Sequence, residues 1–452
     1  MKSFSSLVHK ISQVSATKVS GRVQEIVGST LTASGLERAA VIGQRCRVIG
    51  RFGRVDGEVV GASTSGLRIL PFEKWDGVAI GDRVDLSLND QGIRPDDSWI
   101  GTVVDAFGRP LSHAPKFSRG NGKSVNGKAP PALDRRRVGT KLETKIKCVD
   151  VFTPICRGQR MGIFAGSGVG KSSLMAMLAC NTNTDVVVIG LIGERGREVQ
   201  EFIQDVLGEQ GLARSVLVVS TGDESPLMRR QAGWTAMSVA EHFRSEGQQV
   251  LLLLDSLTRF AMAQREIGLA VGEPPTTRGY PPTVFSELPK LLERAGPGVA
   301  GEGDITGVFT VLVDGDDLNE PIADAVRGIV DGHLVLDRNI AERNRYPAIN
   351  VQRSISRMLP GCHEPDQLAI LSAARSAIAR YADIEELVRM GAYKPGSEPS
   401  TDKSIEFCRK VEPYLSQTRA TQVSSEQAFA DLYRMLTDAG IEVQLSQTSM
   451  TT

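Results

Sequence analysis

Met161-Gly-Ile-Phe-Ala-Gly-Ser-Gly-Val-Gly-Lys-Ser172 is the stretch on which the fold turns. It opens on a continuous apolar run at 161–165, passes through a glycine-rich turn, and leads into residues 173–179 with helical character. Gly166, Gly168 and Gly170 let the backbone curl inward, so that N–H groups face phosphate oxygens. The helix that follows points its positive end at the same anion. Lys171 stands at the offset that reaches the outer phosphates, and the Ser172 hydroxyl at the offset that ligates Mg²⁺. This is the Walker A pattern, with Ala165 where the strict form has glycine. Ser167, Val169 and Ser173 complete the expected nucleotide-binding segment. A bare glycine turn would not need Lys171-Ser172 at that spacing.

Working outward, further near-continuous apolar runs occur at 186–192, 216–219, 250–254 and 308–313. Strands buried on both faces of a parallel sheet have this texture. Helix-length stretches separate them, so a doubly wound α/β domain of the RecA-like, P-loop kind is expected over residues 94–358. Before it, short β-type runs punctuated by glycine between Ser20 and Ile93 predict a small β-barrel over 20–93. Residues 115–131, rich in Gly, Pro, Ser and Lys, read as an exposed loop. After it, periodic stretches at 368–390 and 427–436 predict a C-terminal helical domain over 359–452. Residues 1–19 form an arm. It holds three lysines, no acid, and apolar residues at the spacing of a short amphipathic helix, which suits docking to a partner or to an anionic surface and equally suits a frayed terminus.

Two carboxylates join the loop. Val250-Leu-Leu-Leu-Leu-Asp255 is a buried strand ending in an acid, the Walker B form, and ligands of open parallel sheets gather at the carboxyl ends of strands. Asp255 is therefore expected beside the metal with Ser172. Hydrolysis also needs a group that orients water in line with the terminal phosphate. Glu194 is the candidate, because Gly193-Glu-Arg-Gly-Arg-Glu-Val199 begins where the 186–192 strand ends. Glu198 could instead serve the helix dipole alone.

Composition narrows the rest. Lys+Arg and Asp+Glu balance at 53 each, so no global field favours nucleic acid. Six cysteines without a C-x-x-C pair give no metal or redox motif, and reduced thiols are expected. No apolar run reaches the ~18 residues that a membrane span requires. A cytoplasmic protein follows, at most peripheral to a membrane.

Taken together, the Ala165–Ser172 loop, Gly193–Val199, Leu254-Asp-Ser-Leu-Thr-Arg-Phe260, Arg278-Gly-Tyr-Pro-Pro282, Asp314-Gly-Asp-Asp317 and Ile355-Ser-Arg357 resemble the catalytic subunits of rotary and type III secretion ATPases, and the whole 158–172 segment and Gly391-Ala-Tyr-Lys-Pro-Gly-Ser397 resemble the export ATPases among them. Within that group the likeness is greatest to the flagellar and injectisome export ATPases, the flagellar ones above all. The resemblance implies an ATP-hydrolysing enzyme using Mg²⁺, built as a homohexameric ring that energises export of flagellar subunits. It implies partners as well: a regulatory or stator protein at the N-terminal arm, an export gate, chaperones and cargo, all at the inner face of a bacterial cytoplasmic membrane. By the same resemblance Glu194 matches the water-positioning glutamate and Arg195 its neighbour near the phosphates. Tyr346 matches the aromatic against the adenine, and Arg357 the arginine finger entering the adjacent subunit's site. Where the rotary enzymes carry a second base-holding aromatic, this chain runs Gln417-Thr-Arg419. Glu194 and Arg357 on one chain imply a ring of identical subunits with complete sites. Alternatives are an injectisome ATPase, a rotary proton-pump subunit, a ring helicase and a non-hydrolysing regulatory subunit. Residues 20–93 carry only Phe52, Phe72 and Trp75 as large aromatics, few for the stacking platform of a helicase.

Overall fold

The computed structural model describes residues 18–87, 92–111, 125, 127–313, 315 and 317–445. The expected basic arm therefore lies, but for its last residues, outside the described residues. So do most of the 115–131 loop and two positions of the Asp314–Asp317 motif.

Six strands, β1 (Ser20–Val27), β2 (Thr30–Ser34), β3 (Arg45–Gly50), β4 (Gly53–Ser63), β5 (Gly66–Pro71) and β6 (Arg83–Leu86), close a barrel in the order β1-β2-β5-β4-β3-β6. Alternate residues point inward, and Val23, Leu31, Val48, Val59, Leu67, Ile69 and Val84 fill the interior. Closure leaves no unpaired edge. Arg230 grips both Glu58 oxygens at 2.6 and 2.7 Å. With Leu70, Phe72, Leu227 and Ile267 packed alongside, this pair fixes the barrel to the helix Pro226–Ser245.

The second layer system is built from β7 (Thr102–Val104), the short β8 (Lys141–Leu142) and β9 (Ile155–Cys156), β10 (Arg160–Ala165), β11 (Val186–Glu194), β12 (Ser215–Thr221), β13 (Val250–Asp255), β14 (Gly296–Pro297), β15 (Asp304–Leu312), β16 (Gly332–Val335) and β17 (Ile355–Ser356). Nine of these form one sheet, ordered β17-β16-β10-β15-β13-β11-β12-β7, with β14 paired to β15; β8 and β9 pair separately. Neighbours from β16 to β7 run parallel, whereas β17 and β14 are antiparallel. The central strands are largely apolar because helices cover both faces. Lys171–Asn181 lies on one face; Pro226–Ser245, Leu257–Ala270, Pro282–Leu292 and Pro321–Ile329 lie on the other. Helix starts follow local chemistry: the Ser225 and Ser256 side chains accept from the N–H groups of Met228 and Arg259.

Three helices follow, Pro365–Arg389, Pro399–Leu415 and Ser425–Asp438. Periodicity in the sequence does not single out the middle one. Its charged sequence contains Pro413, yet Ile405, Cys408, Val411 and Leu415 still align on the buried face. No helix among the described residues is long and apolar enough to cross a membrane.

Candidate active site

The carboxyl edge of the sheet gathers polar side chains from three adjacent strands and from the helix that follows the fourth. Lys171 begins the helix after β10, Thr310 lies on β15, Asp255 ends β13 and Glu194 ends β11. The Lys171 ammonium pairs with Asp255 Oδ1 and lies 3.7 Å from Glu194 Oε1. Thr310 Oγ1 donates to Asp255 Oδ1 at 2.7 Å from a fully buried position. Asp255 is itself only 4% exposed. The two carboxylates and the ammonium thus form one cluster rather than three separate features.

Local backbone makes that convergence. Gly170 is at φ 94° and Gly168 at φ 77°, the left-handed region where only glycine is at ease. They turn the loop so that Val169 is buried while Ser167, Gly168 and Ser172 stay exposed. At the end of β11 the register with β12 slips between Ile192 and Glu194. Gly193 sits at the slip with φ 72°, and the Glu194 carbonyl accepts from Gly222 N at 3.0 Å. Such bulges re-aim a side chain, here the Glu194 carboxylate.

Glu194 lies in an environment that works against its charge. Burial and the nearby Asp255 push its pKa up to about 7, and Lys171 only partly offsets them. Its Oε1 is buried and accepts no hydrogen bond among the described residues. A carboxyl poised near neutrality, with an oxygen that faces the Lys171 ammonium but accepts no hydrogen bond, is what a water-orienting base requires.

Tyr346 approaches the loop from another element. A Cβ on Gly170 would stand 3.2 Å from the Tyr346 ring, so the ring rests against the nucleotide loop; it is 39% exposed. The sequence-based candidates Lys171, Asp255, Glu194, Tyr346 and the loop residues are thus brought together. Arg195 is not: its side chain is 83% exposed and faces Glu198 at 3.4 Å. Arg357 also stays apart, at the end of β17 on the sheet's far edge. There its N–H donates to the Asp331 carbonyl, while its exposed guanidinium forms no ion pair among the described residues. The plain alternative for this arginine, a surface ion pair, is not seen among the described residues.

Two further residues of the site carry no signal in the sequence. Thr310 looks like any threonine inside an apolar strand, and only strand order puts it beside Asp255. Arg259 runs its stem along Gly193, where a Cβ would meet it at 3.0 Å, and its Nε is buried without a hydrogen bond. In place of the missing second aromatic stands Arg419. It is exposed and bonded to the carbonyl oxygens of Asp205 and Val206 at 3.2 and 3.4 Å.

Comparison with known proteins agrees with this architecture. Residues 145–356 match the ATP synthase alpha/beta family nucleotide-binding domain, and residues 363–434 match the T3SS EscN ATPase C-terminal domain. The chain is 47% identical to the flagellum-specific ATP synthase of Caulobacter vibrioides, over 95% of this chain and 99% of that protein. To the one from Bacillus subtilis it is 42% identical, over 94% and 97%. Among solved structures, the assembled ATPase EscN of the enteropathogenic E. coli type III secretion system superposes with a TM-score of 0.85 at 37% identity, covering 92% of this chain and all of that one. A second structure, EscN in complex with its central stalk EscO, gives 0.83 over the same share. The chain belongs to the flagellum-specific ATP synthase family and is an ATPase with the P-loop fold shared by type III secretion ATPases.

Proposed function

We propose that the chain hydrolyses ATP as one subunit of a homohexameric ring that energises type III export of flagellar subunits. The observation that carries this reading is the convergence of Lys171, Asp255 and Glu194 at one sheet edge, with Arg357 stranded on the opposite edge. An isolated subunit leaves Arg357 with nothing to act on, whereas a neighbour in a closed ring supplies a site for it. EscN, solved as an assembled ATPase, offers a parallel for assembly of such subunits. The higher identity to flagellar relatives favours the flagellar system over an injectisome.

In this reading Gly166, Ser167, Gly168, Val169, Gly170 and Ser173 cradle the phosphates. Lys171 binds the outer phosphates, leaving Asp255 as it does so. Glu194 holds the attacking water through its carboxylate once Lys171 has turned to the phosphates, and accepts its proton. Arg357 enters the adjacent subunit's site and stabilises charge on the transferring group, a contribution of ~10³–10⁵ in rate. Arg259, with its stem against Gly193 and its buried Nε unbonded, is a further cation for the same anion, and Arg195 turns in from solvent when a neighbour or nucleotide draws it. Tyr346 packs on the adenine. The oxygen donors at hand, an exposed Ser172 hydroxyl and the Asp255 carboxylate, fit Mg²⁺, which takes few protein ligands and keeps waters and phosphate oxygens. That ion would neutralise phosphate charge. The arm at 1–19 is read as the docking point for a regulatory partner of the export apparatus, and the barrel at 20–93, ATPase unit at 94–358 and helical unit at 359–452 as the working parts. The setting is cytoplasmic, at the inner face of the membrane.

The shared site is tested by mixing two inactive variants, Glu194→Gln and Arg357→Ala. Some interfaces in mixed rings pair an intact glutamate with an intact arginine, so partial activity should return. No recovery in rings shown to be mixed would end the reading. Deleting the gene should abolish motility and filament assembly; a deletion strain with normal filaments would exclude the flagellar role.

A further inference from the structure

Between the nucleotide loop and the C-terminal helices lies a hydrogen-bond node that the roles above leave unused. Gln417 follows the helix Pro399–Leu415 by two residues and is 6% exposed. Its backbone N–H donates to the Tyr346 carbonyl at 2.7 Å. Its side-chain Nε2 donates to the carbonyls of Lys145 and Thr421 at 2.7 and 2.9 Å, and its Oε1 accepts from Lys147 N at 3.0 Å. Both amide hydrogens and the amide oxygen are therefore engaged.

The turn that Gln417 grips is itself unusual. Lys145 holds φ 57° without being glycine, a conformation that persists only where the surroundings over-determine it. Gln417 braces its carbonyl, joined by Val423 N at 3.3 Å. From the other side, Asp150 Oδ1 accepts from Thr144 N at 3.0 Å and from its hydroxyl at 2.8 Å. The same C-terminal helix also reaches the residue before Tyr346, through the Glu412–Arg345 ion pair at 3.0 Å.

We infer that Gln417 is a positioning residue for the base pocket: by bracing the 415–421 segment against the 144–147 turn, it fixes the Tyr346 backbone and hence the ring that rests on Gly170. This deepens the reading of Tyr346 as the wall behind the adenine and rests on it. The catalytic cluster is held differently, by the strand ends of the central sheet. A displacement of the C-terminal helices would therefore alter grip on the base while leaving the phosphate-binding groups in place.

The test separates base from phosphates. Gln417→Glu keeps the shape but replaces the two donors with an oxygen facing two carbonyls. Steady-state ATP hydrolysis by the full chain is measured alongside competitive inhibition by magnesium tripolyphosphate, which has no base. The expected result is a rise in KM for ATP of about tenfold, from the loss of one or two buried hydrogen bonds. The kcat and the tripolyphosphate inhibition constant should each stay within about twofold. Gln417→Ala, which adds no charge, should move the same ratio in the same direction, and adding Tyr346→Ala to either should cost nothing beyond Tyr346→Ala alone. Equal weakening toward ATP and tripolyphosphate would mean general support of the domain and overturn the proposal. If Tyr346→Ala changes the ratio and the Gln417 variants do not, Gln417 is excluded while the base wall stands. If Tyr346→Ala leaves the ratio unchanged, the base-wall reading itself falls.

Discussion

Replacing Glu194 with glutamine should sharply slow hydrolysis and at the same time stabilise the nucleotide-free protein, the stabilisation appearing only at high pH. The folded chain holds this carboxyl from its ordinary 4.5 to about 7, because burial and Asp255 oppose its charge more than Lys171 favours it. Folded Glu194 therefore binds its proton more tightly than unfolded Glu194 does. Between pH 4.5 and 7 the native chain retains a proton that the unfolded chain has released, so stability falls as pH rises through that window. Above about pH 7 the full penalty is present, and a shift of this size corresponds to ~3 kcal/mol. The glutamine amide of the variant fills the same space and carries no charge at any pH. Urea unfolding of the two full-length proteins should give coincident midpoints near pH 5, with the variant more stable by ~2–3 kcal/mol at pH 8. ATPase activity of the same preparations should fall by ~10²–10⁴, the usual contribution of general acid–base catalysis. A variant that matches or falls below the parent at pH 8 would refute the reasoning, since Glu194 would then be a stabilising partner of Lys171 rather than a carboxylate held against its preference.

The same shift predicts that kcat/KM for ATP rises with pH through about 7, as Glu194 loses its proton in the free enzyme; a flat profile between pH 6 and 8 would remove Glu194 from the base role. Thr310→Val deletes the hydroxyl that donates to Asp255 at 2.7 Å while keeping the buried shape. Losing a hydrogen bond to a charged group costs ~1.5–3 kcal/mol, so kcat/KM should drop by about tenfold or more. Unchanged kinetics would mean that Asp255 needs no support beyond Lys171.

Legibility in the sequence follows how local the determining physics is. The nucleotide loop is local: glycines at three offsets, then Lys171-Ser172, specify strand, turn, helix and anion together. The strands of the parallel sheet are nearly so, because burial on both faces writes a continuous apolar run. Barrel strands announce themselves through short runs between glycines. The helix Pro399–Leu415 is harder, since one buried stripe is diluted by charges and a proline. Thr310 and Arg259 are invisible for a different reason. Each gains its place from strand order or from the absence of a Cβ on Gly193, and neither is encoded within a few residues. Gln417 belongs with them, since its partners at 145, 147 and 346 are distant in sequence. Arg357 is found through resemblance alone, and its separation from the catalytic cluster within one chain is what a group serving a neighbour would show. Arg195, expected near the phosphates, lies in solvent because its backbone starts the helix Gly196–Glu201 and its side chain meets only Glu198.

The strand order also bears on how the chain is made. β15 lies between β10 and β13, although in sequence it comes after both. As the chain leaves the ribosome, the nucleotide loop and the Asp255 strand emerge well before the strand that must separate them. Until residues 304–312 are available, β10 and β13 lack their common neighbour, and Lys171 cannot meet Asp255 across the intended spacing. Closure of such long-range contacts comes late in folding. A truncated or half-synthesised chain thus carries the recognisable nucleotide motif without the arrangement that uses it, which keeps ATP turnover confined to subunits whose central sheet is complete.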